Sequence, residues 1–160
     1  MNDFSILLIK PEAVNYAKEI IKDLNDKGYN IIDKKNLNGY SNFAGKIYEI
    51  LTSEQVEEYI KGYKVNNFGD DFIVLILAHN QGDTIRRLKI DKGDWKSYQT
   101  NPIKGTLRSK FGLPECFNRY YDGAKLVYCG VHSPHDYEEL KKQAEILGIT
   151  DWVKKYCSDL

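Results

Sequence analysis

The sequence predicts a ferredoxin-like α/β sandwich, a four-stranded antiparallel sheet with flanking helices packed on one face. Three observations lead there. Strand-like and helix-like segments alternate in the order β-α-β-(α)-β-α-β-α, which makes two β-α-β passes from four strands. The longest apolar runs, Ile6–Ile9 and Phe72–Ala78, are strand-sized. The chain has 160 residues, 42% of them hydrophobic, enough for one core. A doubly wound parallel sheet is the alternative. It calls for a glycine-rich phosphate loop after the first strand, where this chain has Lys10-Pro11-Glu12.

Phe4–Ile9 reads as the first strand. Pro11 then suits the first turn of a helix, where its missing N–H has no partner to lose. Val14, Ala17, Ile21 and Leu24 recur at helical spacing, and Lys27-Gly28 closes the helix. Tyr29–Leu37 is a second strand with a polar tail. Asn42–Leu51 and Ser53–Lys61 read as two short helices, the second starting at Ser53 with Gln55 and Glu57 nearby. Asn66–Asp71 has turn chemistry. Phe72–Ala78 is the most apolar segment and should be a central strand buried on both faces. Thr84–Leu88 is a short helix, and residues 91–104 read as a long loop of the kind that often carries function. Gly105–Gly112 holds a helical turn, Lys125–Val131 the fourth strand, and Pro134–Leu147 a helix capped by Gly148. The expected domain is 1–149, followed by a tail over 150–160 anchored by Trp152.

Lys+Arg and Asp+Glu both number 23, giving zero net charge, which argues against a dedicated nucleic-acid binder. A mean hydropathy of −0.53 and strand-length apolar runs argue against a membrane span. The N-terminus lacks the pattern of a secretory signal. Cys116, Cys129 and Cys157 are odd in number and lack CxxC spacing, which points to a reducing compartment such as the cytoplasm rather than to a disulfide framework or zinc site.

Several residues stand out chemically. His132 and His135 sit just past the fourth strand, in Val131-His132-Ser133-Pro134-His135. A strand end is a rigid mount for a reactive side chain, although surface loop histidines have the same appearance. Arginine is scarce, and Arg86, Arg87 and Arg108 precede the histidines. Arginine suits a planar grip on phosphate, and the pair 86–87 also fits a solvated helix face. Lys10 ends an apolar strand, where it either snorkels to solvent or projects from the sheet end into a site.

Leu7-Leu8-Ile9-Lys10-Pro11-Glu12-Ala13-Val14 resembles the opening strand-helix signature of the nucleoside diphosphate kinase family, where the strand ends in Lys-Pro-Asp-Ala/Gly-Val. Gly105-Thr106-Leu107-Arg108-Ser109-Lys110-Phe111-Gly112 is similar to the family's Gly-Thr-Ile-Arg-Gly-Asp-Phe segment. Val131-His132-Ser133 sits where the family has Asn-x-Ile-His-Gly/Ala-Ser-Asp. The order and spacing agree over roughly residues 4–147.

The resemblance implies ping-pong phosphoryl transfer. His132 would accept the γ-phosphate of a nucleoside triphosphate such as ATP and pass it to a nucleoside diphosphate. A neutral imidazole near pH 7 suits that role. Lys10 matches the lysine that contacts ribose and phosphate, and Tyr48 the tyrosine that steers phosphate and histidine. Arg108 matches one phosphate-gripping arginine, and Arg86 or Arg87 a second, Arg86 being favoured. A threonine hydroxyl to phosphate falls on Thr100, with Ser97 as the alternative. Mg²⁺ would ride on the nucleotide's phosphates. The resemblance also implies a homo-oligomer, with contacts from a segment around 91–118.

The chain departs from the family pattern near the histidine. Cys129 stands for the ribose-contacting Asn, Val56 for the base-stacking Phe, and Pro134 and His135 for the Ser and Asp after the histidine. Gln143 stands for the Glu that hydrogen-bonds the histidine, with Glu139 and Glu145 as nearby carboxylates that could serve instead. Two functions therefore remain: an active kinase, or a weak or inactive domain that binds nucleotide or scaffolds. An RNA-binding domain of the same fold is a distant third, since no strand carries the Gly-aromatic pattern.

Overall fold

The computed structural model describes residues 3–48, 51–93, 103–113, 120–121, 124–125 and 128–157. Its centre is a four-stranded sheet of β1 (Ser5–Ile9), β2 (Tyr29–Leu37), β3 (Phe72–His79) and β6 (Val131–His132), in the order β2-β3-β1-β6. Every neighbouring pair is antiparallel. This is the expected ferredoxin-like topology. Two short strands, β4 (Tyr120–Tyr121) and β5 (Ala124–Lys125), pair only with each other. The fourth sheet strand is thus Val131–His132, not Lys125–Val131.

β1 is buried along its whole length and β3 along most of it, and alternate residues serve opposite faces. Ile6, Leu8, Val74 and Ile76 pack with α2 (Tyr40–Ile47), α3 (Ser53–Val65), α6 (Tyr137–Ile146) and α7 (Thr150–Lys154). Leu7, Ile9, Ile73, Leu75 and Leu77 pack with Ala13, α1 (Ala17–Asp26), α4 (Thr84–Lys92) and α5 (Leu107–Phe111). Helices therefore cover both faces, where helices on one face were expected. The physical reason is in the strands: a run apolar at every position has two faces to bury, and each buried Leu or Ile contributes roughly 1.5–3 kcal/mol.

Pro11–Tyr16 is a 3-10 helix that runs into α1. Its register turns Ile20 and Leu24 fully inward, with Val14, Ala17 and Ile21 partly buried. β2 forms the opposite edge of the sheet and carries Lys34 and Lys35, charges that discourage edge pairing. A register shift between Ile31 and Asp33 accompanies a tie to the C-terminal segment, where the Asp33 carboxylate accepts from Trp152 Nε1 at 2.8 Å and Tyr156 OH at 2.5 Å. Trp152 is the anchor expected from the sequence. Residues 150–157 fold onto the domain, with Val153 and Cys157 in the core.

α3 begins at Ser53, as the sequence signalled, but runs on to Val65. Thr52, not Ser53, is the N-cap, and its hydroxyl and the Gln55 side chain satisfy each other's backbone N–H groups. Among the described residues no helix is long and apolar enough to cross a membrane.

A tyrosine cluster joins α3 to the sheet. Tyr59 and Tyr128 stack at 5.1 Å, Tyr63 packs edge-on to both, and Tyr128 OH donates to Tyr59 O at 2.9 Å. Gly62 makes this possible, because a Cβ there would lie 1.4 Å from Tyr128 OH. Gly62→Ala is therefore expected to destabilise the protein by about 2 kcal/mol, since the overpacking cost exceeds the gain in helix propensity of about 1 kcal/mol. Urea unfolding measures it, and an unchanged or raised midpoint would contradict this packing.

Candidate active site

His132 ends β6, paired with Leu8 of β1, and is 6% exposed. Two cations hold the carbonyls on either side of it. Arg108 Nε and Nη2 donate to Val131 O at 3.3 and 3.2 Å, and its Nη1 donates to Gly93 O at 3.0 Å. Lys92 Nζ donates to Ser133 O at 3.2 Å. Arg108 is carried by α5, whose N-cap Thr106 accepts from Ser109 N. Lys92 is the last residue of α4.

Lys10 follows β1 directly and is 1% exposed. It does not snorkel. Its ammonium pairs with Glu12 Oε1 at 3.1 Å, lies 3.6 Å from Cys129 Sγ, and faces the rings of Tyr48 and Tyr59 at 5.6 and 5.3 Å. Glu12 is fully engaged. It accepts from Gly130 N at 3.1 Å and from Tyr63 OH at 2.7 Å. Gly130 has φ +81 and brings its backbone against Phe111, whose carbonyl oxygen would lie 2.8 Å from an added Cβ. Only glycine lets the chain pass there and present Gly130 O to Lys10 N at 2.9 Å.

Tyr48 meets the His132 ring edge-to-face at 5.1 Å, and Tyr40 OH donates to Tyr48 OH at 3.2 Å. On the other side, Gln143 Nε2 lies 2.8 Å from His132 Nε2 and donates to Glu139 Oε1 at 2.8 Å. Glu145, the other carboxylate considered, is exposed.

The electrostatics follow from burial. Among the described charged side chains, Lys10, Lys92, Arg108 and Glu12 are buried, so cations outnumber carboxylates. Burial, then Lys92, Arg108 and Lys10, hold the His132 pKa well below its usual value, leaving a neutral ring. Burial, and then Arg108, lower the Lys92 pKa to about 7. Burial opposes the charge on Lys10, but Cys129, Glu12 and Tyr48 more than offset it and raise its pKa. Burial likewise opposes a thiolate at Cys129, yet Arg108 and Lys10 bring that pKa below the usual thiol value.

The sequence-selected residues divide clearly. Lys10, Tyr48, Arg108, Cys129, His132 and Gln143 come together. Arg86 does not: its side chain is 78% exposed and meets Asp83 at 3.4 Å. Arg87 Nε donates to Gly82 O at 2.9 Å, away from the histidine. α4 turns Thr84, Leu88 and Lys92 inward at four-residue intervals, and Arg86 lies about 200° round the helix from Leu88. Lys92 is the cation this helix delivers, and the sequence reading missed it. Its spacing from Leu88 was the available signal. Val56 lies in the first turn of α3 against Gly45 of α2. His135 is exposed, with Nδ1 3.8 Å from Glu139. Thr100 and Ser97 lie outside the described residues.

A model of the family described as "Nucleoside diphosphate kinase" matches residues 3–146. Solved structures of nucleoside diphosphate kinases share the fold. The apo enzyme from Encephalitozoon cuniculi in a cubic crystal form has a TM-score of 0.64 at 15% identity, covering 90% of this chain and 87% of that one. The Aquifex aeolicus enzyme has 0.59 at 14%, covering 90% and 93%. The Pyrobaculum aerophilum enzyme has 0.58 at 15%, covering 90% and 94%. No curated protein sequence matches significantly.

Lys92 gives the site a pH signature. Its pKa of about 7 in the fold lies below the unfolded value of about 10.4, so unfolding takes up a proton between these limits. Its charge weakens the fold fully below pH 7, and the cost fades as pH rises toward the unfolded pKa. Thermal melts should show this contribution raising Tm between pH 7 and about pH 9. Lys92→Met should flatten that rise and increase Tm at pH 7 by several degrees. A lower Tm for the variant would show that the ammonium supports the fold.

Proposed function

Because this chain belongs to the nucleoside diphosphate kinase family, we propose that its buried cations seat a triphosphate and that His132 takes the γ-phosphoryl group. Its function is the family's reaction, transfer of the γ-phosphate of a nucleoside triphosphate to a nucleoside diphosphate. The observation that carries the residue assignment is the excess of buried positive charge around a neutral imidazole. Even with a thiolate at Cys129, Lys10, Arg108 and a Lys92 that is part-charged near pH 7 face two anions. Burying uncompensated charge costs stability, and a polyanionic ligand supplies the missing partner.

His132 uses the lone pair of a neutral ring nitrogen to form an N–P bond. The bond from the γ-phosphorus to the bridging oxygen breaks, and its electron pair leaves with the nucleoside diphosphate. The ring then carries a positive charge until a second diphosphate takes the phosphoryl group back. Phosphoryl transfer asks the protein for position and charge stabilisation. Arg108 supplies position: its two bonds to Val131 O fix the strand end. That bracing makes Arg108 structural as well as phosphate-facing, so its removal costs both. Lys92 replaces Arg86 as the second phosphate cation in this assignment, since it is buried beside the histidine with, among the described residues, only a carbonyl as hydrogen-bond partner. Tyr48 packs against the same histidine, and Lys10 faces the Tyr48 ring. Cys129 and Val56 remain the candidates for the ribose and base ends.

The donor set is cationic, and among the described residues no three His, Cys, Asp or Glu side chains gather as a metal site. Mg²⁺ therefore fits here bound to the nucleotide's phosphates, which it neutralises. A homo-oligomeric state and a cytoplasmic location complete the proposal.

The decisive experiment is incubation with γ-labelled ATP and Mg²⁺. The expected result is an acid-labile, base-stable phosphoprotein that is absent from His132→Ala and discharged by added nucleoside diphosphate. Absence of label on the wild-type protein while nucleotide still binds would overturn the assignment and leave a nucleotide-binding role.

A further inference from the structure

We propose that Glu139 is a positioning residue that sets the tautomer of His132 through the Gln143 amide, and that it holds the ring in its non-nucleophilic form at rest. The inference rests on the phosphohistidine assignment above and names a control built into that site.

The argument is a count of hydrogens. The Gln143 nitrogen has two, and the geometry directs one to Glu139 Oε1 and one to His132 Nε2, each at 2.8 Å. The amide oxygen of Gln143 is buried and has no partner. An amide leaves its oxygen unpaired only when something else fixes its orientation, and the Glu139 carboxylate does so. That carboxylate cannot donate, so the amide face turned toward it must be the NH₂ face. Glu139 is itself held from the other side, where His135 N donates to its Oε2 at 2.7 Å.

The consequence falls on the ring. His132 Nε2 receives a hydrogen from Gln143 and must therefore present a lone pair. The ring is neutral, so its single N–H proton is on Nδ1. No hydrogen bond among the described residues engages Nδ1, which makes it the nitrogen open to a substrate. In this tautomer it offers a proton rather than a lone pair. Attack from Nδ1 also leaves Nε2 protonated on a positive ring, and an NH₂ group facing it would repel that charge.

The reactive arrangement needs the amide turned over, with Gln143 Oε1 accepting from Nε2–H. The turned oxygen would then face the Glu139 carboxylate. Glu139 must swing away first, and its side chain, 31% exposed, has solvent to swing into. Glu139 thus opposes the step that a carboxylate in contact with the ring would assist.

The test reads tautomer and rate separately. In nucleotide-free protein, ¹⁵N spectra of His132 should report Nδ1–H in the wild type and a shift toward Nε2–H in Glu139→Ala. Phosphohistidine formation from ATP should be faster in the variant by about tenfold, the scale of one hydrogen bond to a charged group. Glu139→Gln, which keeps the side-chain length and can donate to a turned amide, should move both readings the same way. An Nε2–H tautomer already present in the wild type would overturn the inference, as would variants that leave the tautomer unmoved or label more slowly. The spectra need no nucleotide, so they judge this inference even where labelling fails and the phosphohistidine assignment falls.

Discussion

The site depends on one electrostatic imbalance: three cations are buried against one carboxylate beside an uncharged imidazole. Nothing in the folding of an apolar sheet requires such a cluster. Lys92 illustrates the strain, since burial and the neighbouring Arg108 both disfavour its charge. A fold retains such groups where a ligand of opposite charge repays the cost. The same imbalance keeps the imidazole neutral. In the proposed reaction, ligand recognition and nucleophile preparation therefore share one physical cause.

The scaffold makes the imbalance tolerable by spending hydrogen bonds on it. Arg108 is satisfied by the carbonyls of Val131 and Gly93, and Lys92 by that of Ser133. Lys10 has Glu12 and two aromatic faces. Glu12 in turn is tied through Tyr63 and Tyr59 into α3, so the charge at the sheet end is continuous with the tyrosine packing above it. That continuity explains why Tyr40, Tyr59, Tyr63 and Tyr128 are buried here where leucines would fill the same space: each hydroxyl can satisfy a buried neighbour while the ring still fills the core.

Much of this was legible in the sequence. Apolar runs located β1 and β3, and the segments around Lys10, Arg108 and His132 identified the residues that converge. What escaped was governed by direction rather than type. The sequence ends this helix at Leu88 and leaves Lys92 in a loop, whereas α4 runs to Lys92 and buries it on the inward face shared with Thr84 and Leu88. Arg86 drew attention because arginine is scarce, but its position on α4 points it outward. The fourth strand was overestimated because Lys125–Val131 has strand composition, whereas pairing with β1 extends only to Val131 and His132. The orientation of the Gln143 amide was beyond sequence altogether, since it depends on a carboxylate one helical turn away.

β6 contributes only two residue pairs to the sheet. A ladder that short is a weak fastening, and the Arg108 and Lys92 side chains, donating to the Val131 and Ser133 carbonyls, do much of the holding. In the proposed reaction that fastening matters beyond stability: a strand end clamped from two helices keeps its histidine in one place while the phosphoryl group arrives.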